Sequence, residues 1–370
     1  MSIKFKIFIR FIGLLFFFNL LTVNAQMLRD TACLNLIKID IGYTYNLQFD
    51  IAGDVFKQIS QLYPEHPIVF LLRGIMTYWE NYPLIHLNPS HISFEKDMRQ
   101  CIYLSESNND PAYETEYLLA DMCARGMLLM FYADNDLSLE VIPIATSTYK
   151  YLKRSFYFSE SCIDLNYFTG LYNYYREAYP SIYPIYKSLA FIFPAGDMEN
   201  GLKQLQTTAV NSVLLSAESY FSLAWINLYY ENNYPESLSY SRILHELYPE
   251  NREYLALYIK NLLLMKKYDE AEILVSASSV EAKTYYQAQV MIFEGILHEK
   301  KYQDYSLAQE FYNNGIVDIA FFGDYGNEYA AYAYYGLSRI NEANGEKEAS
   351  KIYRKKASKL ADFKKINFDN

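Results

Sequence analysis

A spacing of 34 residues recurs along this 370-residue chain and limits its fold more than any other feature. The segments Tyr234-Pro-Glu-Ser and Tyr268-Asp-Glu-Ala stand 34 residues apart (268 − 234), share Tyr and Glu, and end on a small residue. They belong to two successive frames of that length, which begin at Glu218 and Arg252. Repeats of roughly 20 to 50 residues are typical of arrays in which one small unit stacks on the next. The period therefore predicts a stack of similar units.

Residue types at fixed positions of the frame predict two antiparallel helices in each unit. With Cys33 as position 1, positions 4, 11, 20, 24 and 32 are Leu36, Tyr43, Ala52, Phe56 and Pro64. Frames from Pro67, Glu218 and Arg252 repeat parts of this pattern, with Phe70, Gly74, Phe221, Ala224, Pro249, Leu255, Tyr258 and Ala271. Small residues at positions 8 and 20 let two helices cross closely, and apolar residues fill the seam. Proline at position 32 ends the second helix.

These positions resemble the tetratricopeptide repeat family. Each repeat of that family is a helix–turn–helix hairpin, and it stacks on its neighbours because it cannot bury its own apolar face. The resemblance implies an all-α, right-handed solenoid of about five to seven antiparallel helix pairs over most of residues 33–360. Irregular connections are expected at 81–93 and 179–195, and a hairpin turn at Asn344-Gly345.

Residues 170–209 carry a narrower resemblance. Gly170-Leu-Tyr-Asn-Tyr-Tyr, Phe193-Pro-Ala-Gly-Asp and the segment 201–209 form a connected pattern. The pattern resembles a block in eukaryotic tetratricopeptide proteins related to the mitochondrial inclusion-body clearance factor and, more loosely, the periplasmic T component of TRAP transporters. Asp197 after Gly196 fits a helix N-cap, and this structural role is preferred over a ligand role. The narrower resemblance implies no activity.

The first 25 residues have the pattern of an export signal. Basic residues precede a mostly apolar run at 11–23, and Val23-Asn24-Ala25 supplies small side chains where a signal peptidase cuts. Because the run is short for a bilayer span of about 20 residues, cleavage before Gln26 is favoured over a retained anchor. We expect an exported protein, soluble in the periplasm or cell envelope. The predicted division is a signal peptide (1–25), N-terminal repeat-like hairpins with insertions (26–210), C-terminal repeats (211–360) and a tail (361–370).

Four cysteines become relevant in an exported chain: Cys33, Cys101, Cys123 and Cys162. Their even number permits disulfides, for which three complete pairings exist. The favoured interpretation is four buried thiols, because free Cys behaves as a small apolar residue. None of the spacings is typical of a zinc site.

Composition and motifs argue against several functions. The net charge of −10 repels nucleic-acid phosphates, so no nucleic-acid partner is expected. The chain lacks a glycine-rich phosphate loop, a nucleophile elbow and a His-Glu-x-x-His motif. His86 and His91 are five residues apart in a Pro-containing connection, which is not the spacing of a metal pair on a helix. We therefore expect no enzyme activity, no metal and no cofactor.

The C-terminal end is basic within this acidic chain. Residues 346–365 hold eight Lys or Arg and three acids, a balance of +5 (8 − 3). The favoured interpretation is an end helix whose outer face stays in water, since a terminal repeat has no stacking neighbour. The alternative is a basic surface that contacts an anionic membrane or partner.

Candidate binding residues follow from the repeat frame, because the first helix of each hairpin lines the concave side of such a stack. The residues predicted to bind a partner there are Tyr78, Trp79, Tyr167, Tyr175, Arg176, Tyr229, Tyr230 and Lys260. Tyr, Trp and Arg supply most interface hot spots. The competing interpretation is that these rings pack between neighbouring repeats in a chain that contains 39 Tyr.

The sequence thus predicts a protein–protein interaction scaffold of the cell envelope that binds a polypeptide segment in an aromatic-lined groove. Acidic rims would favour basic partners. The alternative function is a solute- or glycan-binding accessory component of an envelope uptake system, since tyrosines also stack on sugar rings. The sequence leaves the partner and the oligomeric state open.

Overall fold

The structure is a computed structural model that describes residues 26–182, 193–277, 284–361, 363 and 365–369. The predicted signal peptide lies outside these residues, as does most of the expected irregular connection at 179–195. The described part is helical and contains no strand. None of its helices is long and apolar enough to cross a membrane.

The helices begin and end as follows, in chain order. They are α1 Thr31–Tyr45, α2 Phe49–Leu62, α3 Pro67–Glu80, α4 Ser90–Ser107, α5 Glu114–Asp134, α6 Ser138–Phe158, α7 Leu165–Ile182, α8 Met198–Asn211, α9 Ser216–Tyr229, α10 Tyr234–Leu247, α11 Arg252–Leu264, α12 Tyr268–Ser276, α13 Tyr285–Leu297, α14 Tyr305–Ile319, α15 Asn327–Ala343 and α16 Lys347–Leu360. Short helical turns cover Pro111–Tyr113, His298–Tyr302 and Ala320–Gly326.

Successive helices pack against each other in pairs, from α1/α2 to α15/α16, which makes eight pairs among the described residues. Each pair also contacts the next, as α10 contacts α11 and α14 contacts α15. This confirms the all-α class and the packing in neighbouring pairs, and it gives more pairs than the sequence frames suggested. The arrangement is consistent with a solenoid.

Helix starts follow the repeat frame closely. The second helices α10 and α12 begin at Tyr234 and Tyr268, 34 residues apart, and α11 begins at Arg252. Asn251 caps α11, because its side chain accepts hydrogen bonds from the backbone of Glu253 and Tyr254 at 3.1 Å. Local capping chemistry thus fixes where this hairpin starts.

Small residues bring α7 and α8 close together, although Gly201 does not occupy a small position of the repeat frame. A Cβ atom added to Gly170 on α7 would lie 3.0 Å from the carbonyl oxygen of Gly201 on α8. A Cβ on Gly201 would lie 2.8 Å from the carbonyl oxygen of Gly170. The two backbones therefore touch, and any larger side chain would separate the helices. The turn after α15 has Gly345 at φ +82°, as expected for the Asn344-Gly345 hairpin.

The first helix of each pair lies inside and the second outside. Eleven of the 17 residues of α15 are buried, against two of the 14 residues of its partner α16. The α5/α6 pair differs in the same way, with twelve buried residues of 21 against two of 21. We call the first helices the inner layer and the second helices the outer layer.

Inner-layer helices from distant hairpins meet. The Tyr45 hydroxyl at the end of α1 donates to Glu218 on α9, and Asn251 Nδ2 donates to the Tyr45 carbonyl at 2.8 Å. Trp79 on α3 packs edge-on against Tyr254 on α11, with ring centroids 5.5 Å apart. The trough expected from the sequence is filled here by the chain's own side chains.

Candidate functional site

Lys260 is at the centre of the inner layer. Its side chain is 3% exposed, and Nζ lies 2.7 Å from the Tyr229 hydroxyl and 3.2 Å from Glu328 Oε2. The hydroxyls of Tyr229 and Tyr332 both donate to the other carboxylate oxygen of Glu328. The three helices α9, α11 and α15 are therefore joined by one ion pair and its hydrogen bonds.

Aromatic rings enclose this ion pair. The Lys260 ammonium lies 5.3 Å from the ring centroid of Tyr229, 5.4 Å from that of Tyr329 and 6.0 Å from that of Tyr332. These are cation–π distances. Burial raises the pKa of Tyr229 and Tyr332 well above the ordinary value, so both remain donors. A partner cannot reach Lys260 without opening the inner layer.

Tyr78 and Trp79 belong to a second aromatic cluster of the inner layer, in which Tyr78 is buried and Trp79 is half-buried. Tyr78 is 3% exposed and packs against Phe94, with ring centroids 5.9 Å apart. Trp79 stacks on Tyr82 at 5.2 Å, and Tyr82 in turn meets Tyr285 at 6.1 Å. These contacts hold α3 against α11 and α13.

Three rings near the ends of α7 and α9 remain partly exposed, and we call them the aromatic surface: Tyr175, Trp225 and Tyr230. Tyr175 and Tyr230 meet edge-to-face at 5.2 Å. Tyr167, also partly exposed, lies two turns earlier on α7 and hydrogen-bonds Ser222 at 3.3 Å. The structure thus brings together Tyr167, Tyr175 and Tyr230 on two adjacent hairpins.

Arg176 has a different role from its neighbour Tyr175. Its guanidinium donates to the carbonyl oxygen of Phe193 at 3.1 Å and lies 3.2 Å from Glu177. These contacts tie the residues before α8 back onto α7. Asp197 caps α8 through a 3.0 Å hydrogen bond from the Asn200 backbone, as the sequence predicts.

The chain's own C-terminal tail covers part of the aromatic surface. The ring of Phe363 lies 4.5 Å from Tyr229, 5.5 Å from Tyr230 and 6.2 Å from Trp225, measured between centroids. Sequence reasoning missed Trp225 and Phe363. A signal was available for the tail, because Phe363, Ile366 and Phe368 are apolar residues in an otherwise charged segment.

The remaining candidates from the sequence are a pair of histidines and four cysteines. His86 and His91 have ring centroids 4.6 Å apart, but no group of three or more metal-ligating residues occurs in the part of the chain that the structure describes. The four cysteines are free thiols. Cys33, Cys101 and Cys123 are buried and Cys162 is half-buried.

Comparisons with known proteins do not identify the chain. A scan against protein-family models finds no matching family. A search of curated proteins finds no matching protein.

Proposed function

We propose that this protein is a polypeptide-binding scaffold of the cell envelope, built from tetratricopeptide-like hairpins and exported by its N-terminal segment. Support for the scaffold comes from the packing of the helices in pairs and from the second helices that begin 34 residues apart, at Tyr234 and Tyr268. Support for export comes from the sequence of the first 25 residues alone.

The aromatic surface is the observation that carries the proposal. Tyr175, Trp225 and Tyr230 are half-buried, whereas their neighbours Tyr174 and Tyr229 are buried. Tyr and Trp offer large contact area with few rotatable bonds, so binding orders little of the side chain. Their positions on paired helices make the surface rigid before any partner arrives.

A polypeptide suits this surface because the protein's own C-terminal tail already packs on part of it. The side chain of Phe363 packs against Trp225 and Tyr230 in cis, and this contact supports the proposal that an aromatic residue of a peptide binds there. The free energy of such packing comes from buried apolar area, at about 25 cal/mol per Å² before association costs.

Site-specific photocrosslinking tests the proposal. A photoreactive phenylalanine analogue at Tyr230, in the protein expressed in its own cells, is expected to form adducts with a polypeptide partner. The matched control is the same analogue at Tyr157 on the outer layer, which is 81% exposed. Equal adducts at both positions, or none at Tyr230, would contradict the proposal.

The double variant Tyr175→Ala/Tyr230→Ala gives a second readout. We expect it to lose partner capture while its helicity remains, because both rings are partly exposed. Variants at Tyr78 or Tyr229 are unsuitable, since both residues are buried and their loss would unsettle the core. A thermal shift with sugars or small solutes but with no polypeptide would instead favour a solute-binding role.

A further inference from the structure

The tail after α16 folds back over the inner side of the molecule. Ile366 is 1% exposed and Phe368 6% exposed, although both lie within the last five residues of the chain. A turn forms where the Ile366 N–H donates to the Phe363 carbonyl at 3.1 Å. Terminal residues usually remain loose unless something holds them. Specific contacts therefore hold this tail.

Two aromatic anchors hold the tail on two different inner-layer helices. Phe363 packs on Trp225 and Tyr230 at the end of α9. Phe368 packs edge-to-face on Tyr332 of α15, with centroids 5.1 Å apart. The tail thus contacts α9 and α15, two of the three helices that the Lys260–Glu328 ion pair joins.

Charge complementarity fixes the end of the tail. Arg339 Nη1 donates to the Asn367 carbonyl at 2.5 Å and lies 3.1 Å from Asp369 Oδ1. Arg354 Nη2 lies 2.9 Å from Asp369 Oδ2. Arg339 is itself oriented by Glu299, whose oxygens lie 2.6 and 2.9 Å away. The two arginines therefore present a prepared site for a carboxylate.

We propose that the tail occupies the partner's place, and that the partner is a polypeptide segment with the tail's own pattern. That pattern is an aromatic residue, an aliphatic residue three positions later, a second aromatic residue two positions after that, and an acidic residue next. This inference rests on the proposed function and names its substrate class. The tail is a displaceable ligand in cis, and a partner segment competes with it.

Competition with the tail determines the affinity for the partner. A segment tethered by a short linker acts at an effective concentration of the order of millimolar. The apparent dissociation constant for a separate partner segment equals the intrinsic dissociation constant divided by the fraction of chains whose tail is unbound. If the tail is bound in about nine chains of ten, removing it strengthens outside binding about tenfold.

A cleavable tail provides the test. A protease site is inserted after Ala361 in the full chain, the protein is folded, and half of the sample is cut. The probe is a labelled synthetic peptide of residues 361–370, and its binding is measured by fluorescence anisotropy. The cut protein is expected to exchange its fragment for the probe and to bind it at least about tenfold more tightly than the uncut protein. The control is the same peptide carrying Phe363→Ala and Phe368→Ala, which is expected not to bind.

Equal binding of the two peptides, or no uptake of the probe by cut protein that retains its helicity, would overturn the inference. A full-length variant guards against misfolding after cleavage: Asp369→Ala changes only the tail and leaves Arg339 and Arg354, which the probe would also use, in place. We expect this variant to take up more probe than the unaltered chain, and an unchanged uptake would count against the inference. Adducts at Tyr230 without any binding of the probe would remove this inference and leave the scaffold proposal standing.

Discussion

The inner and outer layers use the same residue types in opposite ways. Tyr229 on inner-layer α9 is 4% exposed and bonded to Glu328, whereas Tyr157 on outer-layer α6 is 81% exposed. Lys260 on α11 is buried in an aromatic cage, whereas the Lys203 side chain on α8 is 66% exposed and pairs with Glu199. A residue's layer therefore decides its role more than its type does.

The difference shows what a repeat frame can and cannot reveal. The frame places a residue on the inner side of its hairpin, because that depends on the residue's position along one helix. Whether the inner side faces water depends on helices two or three hairpins away. Here α9, α11 and α15 are joined through the Lys260–Glu328 ion pair, whereas Tyr175 on α7 stays half-buried.

Replacing Lys260 with Met is expected to cause the largest loss of stability, about 3–5 kcal/mol. Without the ammonium, which is 3% exposed, the partly buried carboxylate of Glu328 loses its counter-ion. The matched control is Lys203→Met, whose exposed pair with Glu199 is worth less than about 1 kcal/mol. Chemical denaturation followed by circular dichroism measures both. Similar midpoints for the two variants would contradict a closed inner layer, and adding Glu328→Gln to Lys260→Met should restore part of the loss.

Replacing Gly336 with Ala is expected to cost about 1–3 kcal/mol by overpacking. The new Cβ on α15 would lie 2.3 Å from two ring carbons of Tyr312, which is itself fully buried. Gly53→Ala on the outer helix α2 is the control, since its Cβ would meet nothing within 4 Å. The control should gain up to about 1 kcal/mol from better helix propensity. A gain in both variants would show that the contact with Tyr312 is not tight.

Raising the pH is expected to weaken the inner layer by about 1–2 kcal/mol between pH 5 and pH 8.5. Burial raises the pKa of Glu218 from 4.5 to about 8 and that of Glu253 to about 7. The folded state therefore holds protons that the unfolded chain releases above about pH 4.5. Stability falls as the pH rises through this window. The hydrogen bond from Tyr45 favours the ionised form of Glu218 and moderates the effect.

The matched variants for the pH effect are Glu218→Gln and Glu199→Gln, with melting temperature as the readout. The first should flatten part of the pH dependence. The second should leave it unchanged, because the Glu199 side chain is 82% exposed. Parallel curves for all three proteins would show that Glu218 is not protonated in the fold.

The smallest expected effect is a difference in thiol reactivity between the buried cysteines and the half-buried Cys162. Burial raises the pKa of Cys33 to about 12 and that of Cys162 to about 11, so little thiolate forms at neutral pH. We expect slow alkylation of the native protein, with the half-buried Cys162 first, and an intact mass that is the same with and without reductant. A mass gain of about two hydrogens on reduction would reveal a disulfide and correct the structure at these residues.

Much of the fold could be predicted from the sequence because helix starts and close crossings are local. Tyr234 and Tyr268 mark second helices, and Gly170 marks a crossing, through capping, spacing and side-chain size alone. The assignment to the tetratricopeptide repeat family and the division of the chain near residue 210 stay predictions.

The candidate site was less predictable because it depends on contacts between helices that are far apart in the sequence. The frame gives Tyr78, Tyr175 and Tyr229 the same expected role, yet only Tyr175 remains partly exposed. Nothing within one repeat distinguishes them. The tail contacts join residues more than a hundred positions apart, such as Phe363 and Tyr230, and no local pattern encodes such a pair.

Hydroxyl-radical footprinting of the tyrosines, resolved by mass spectrometry, tests the central claim most directly. The account predicts fast oxidation at Tyr157, protection at Tyr78 and Tyr229, and intermediate rates at Tyr175 and Tyr230. Oxidation of Tyr78 and Tyr229 as fast as that of Tyr157 would show an open trough and contradict the closed inner layer.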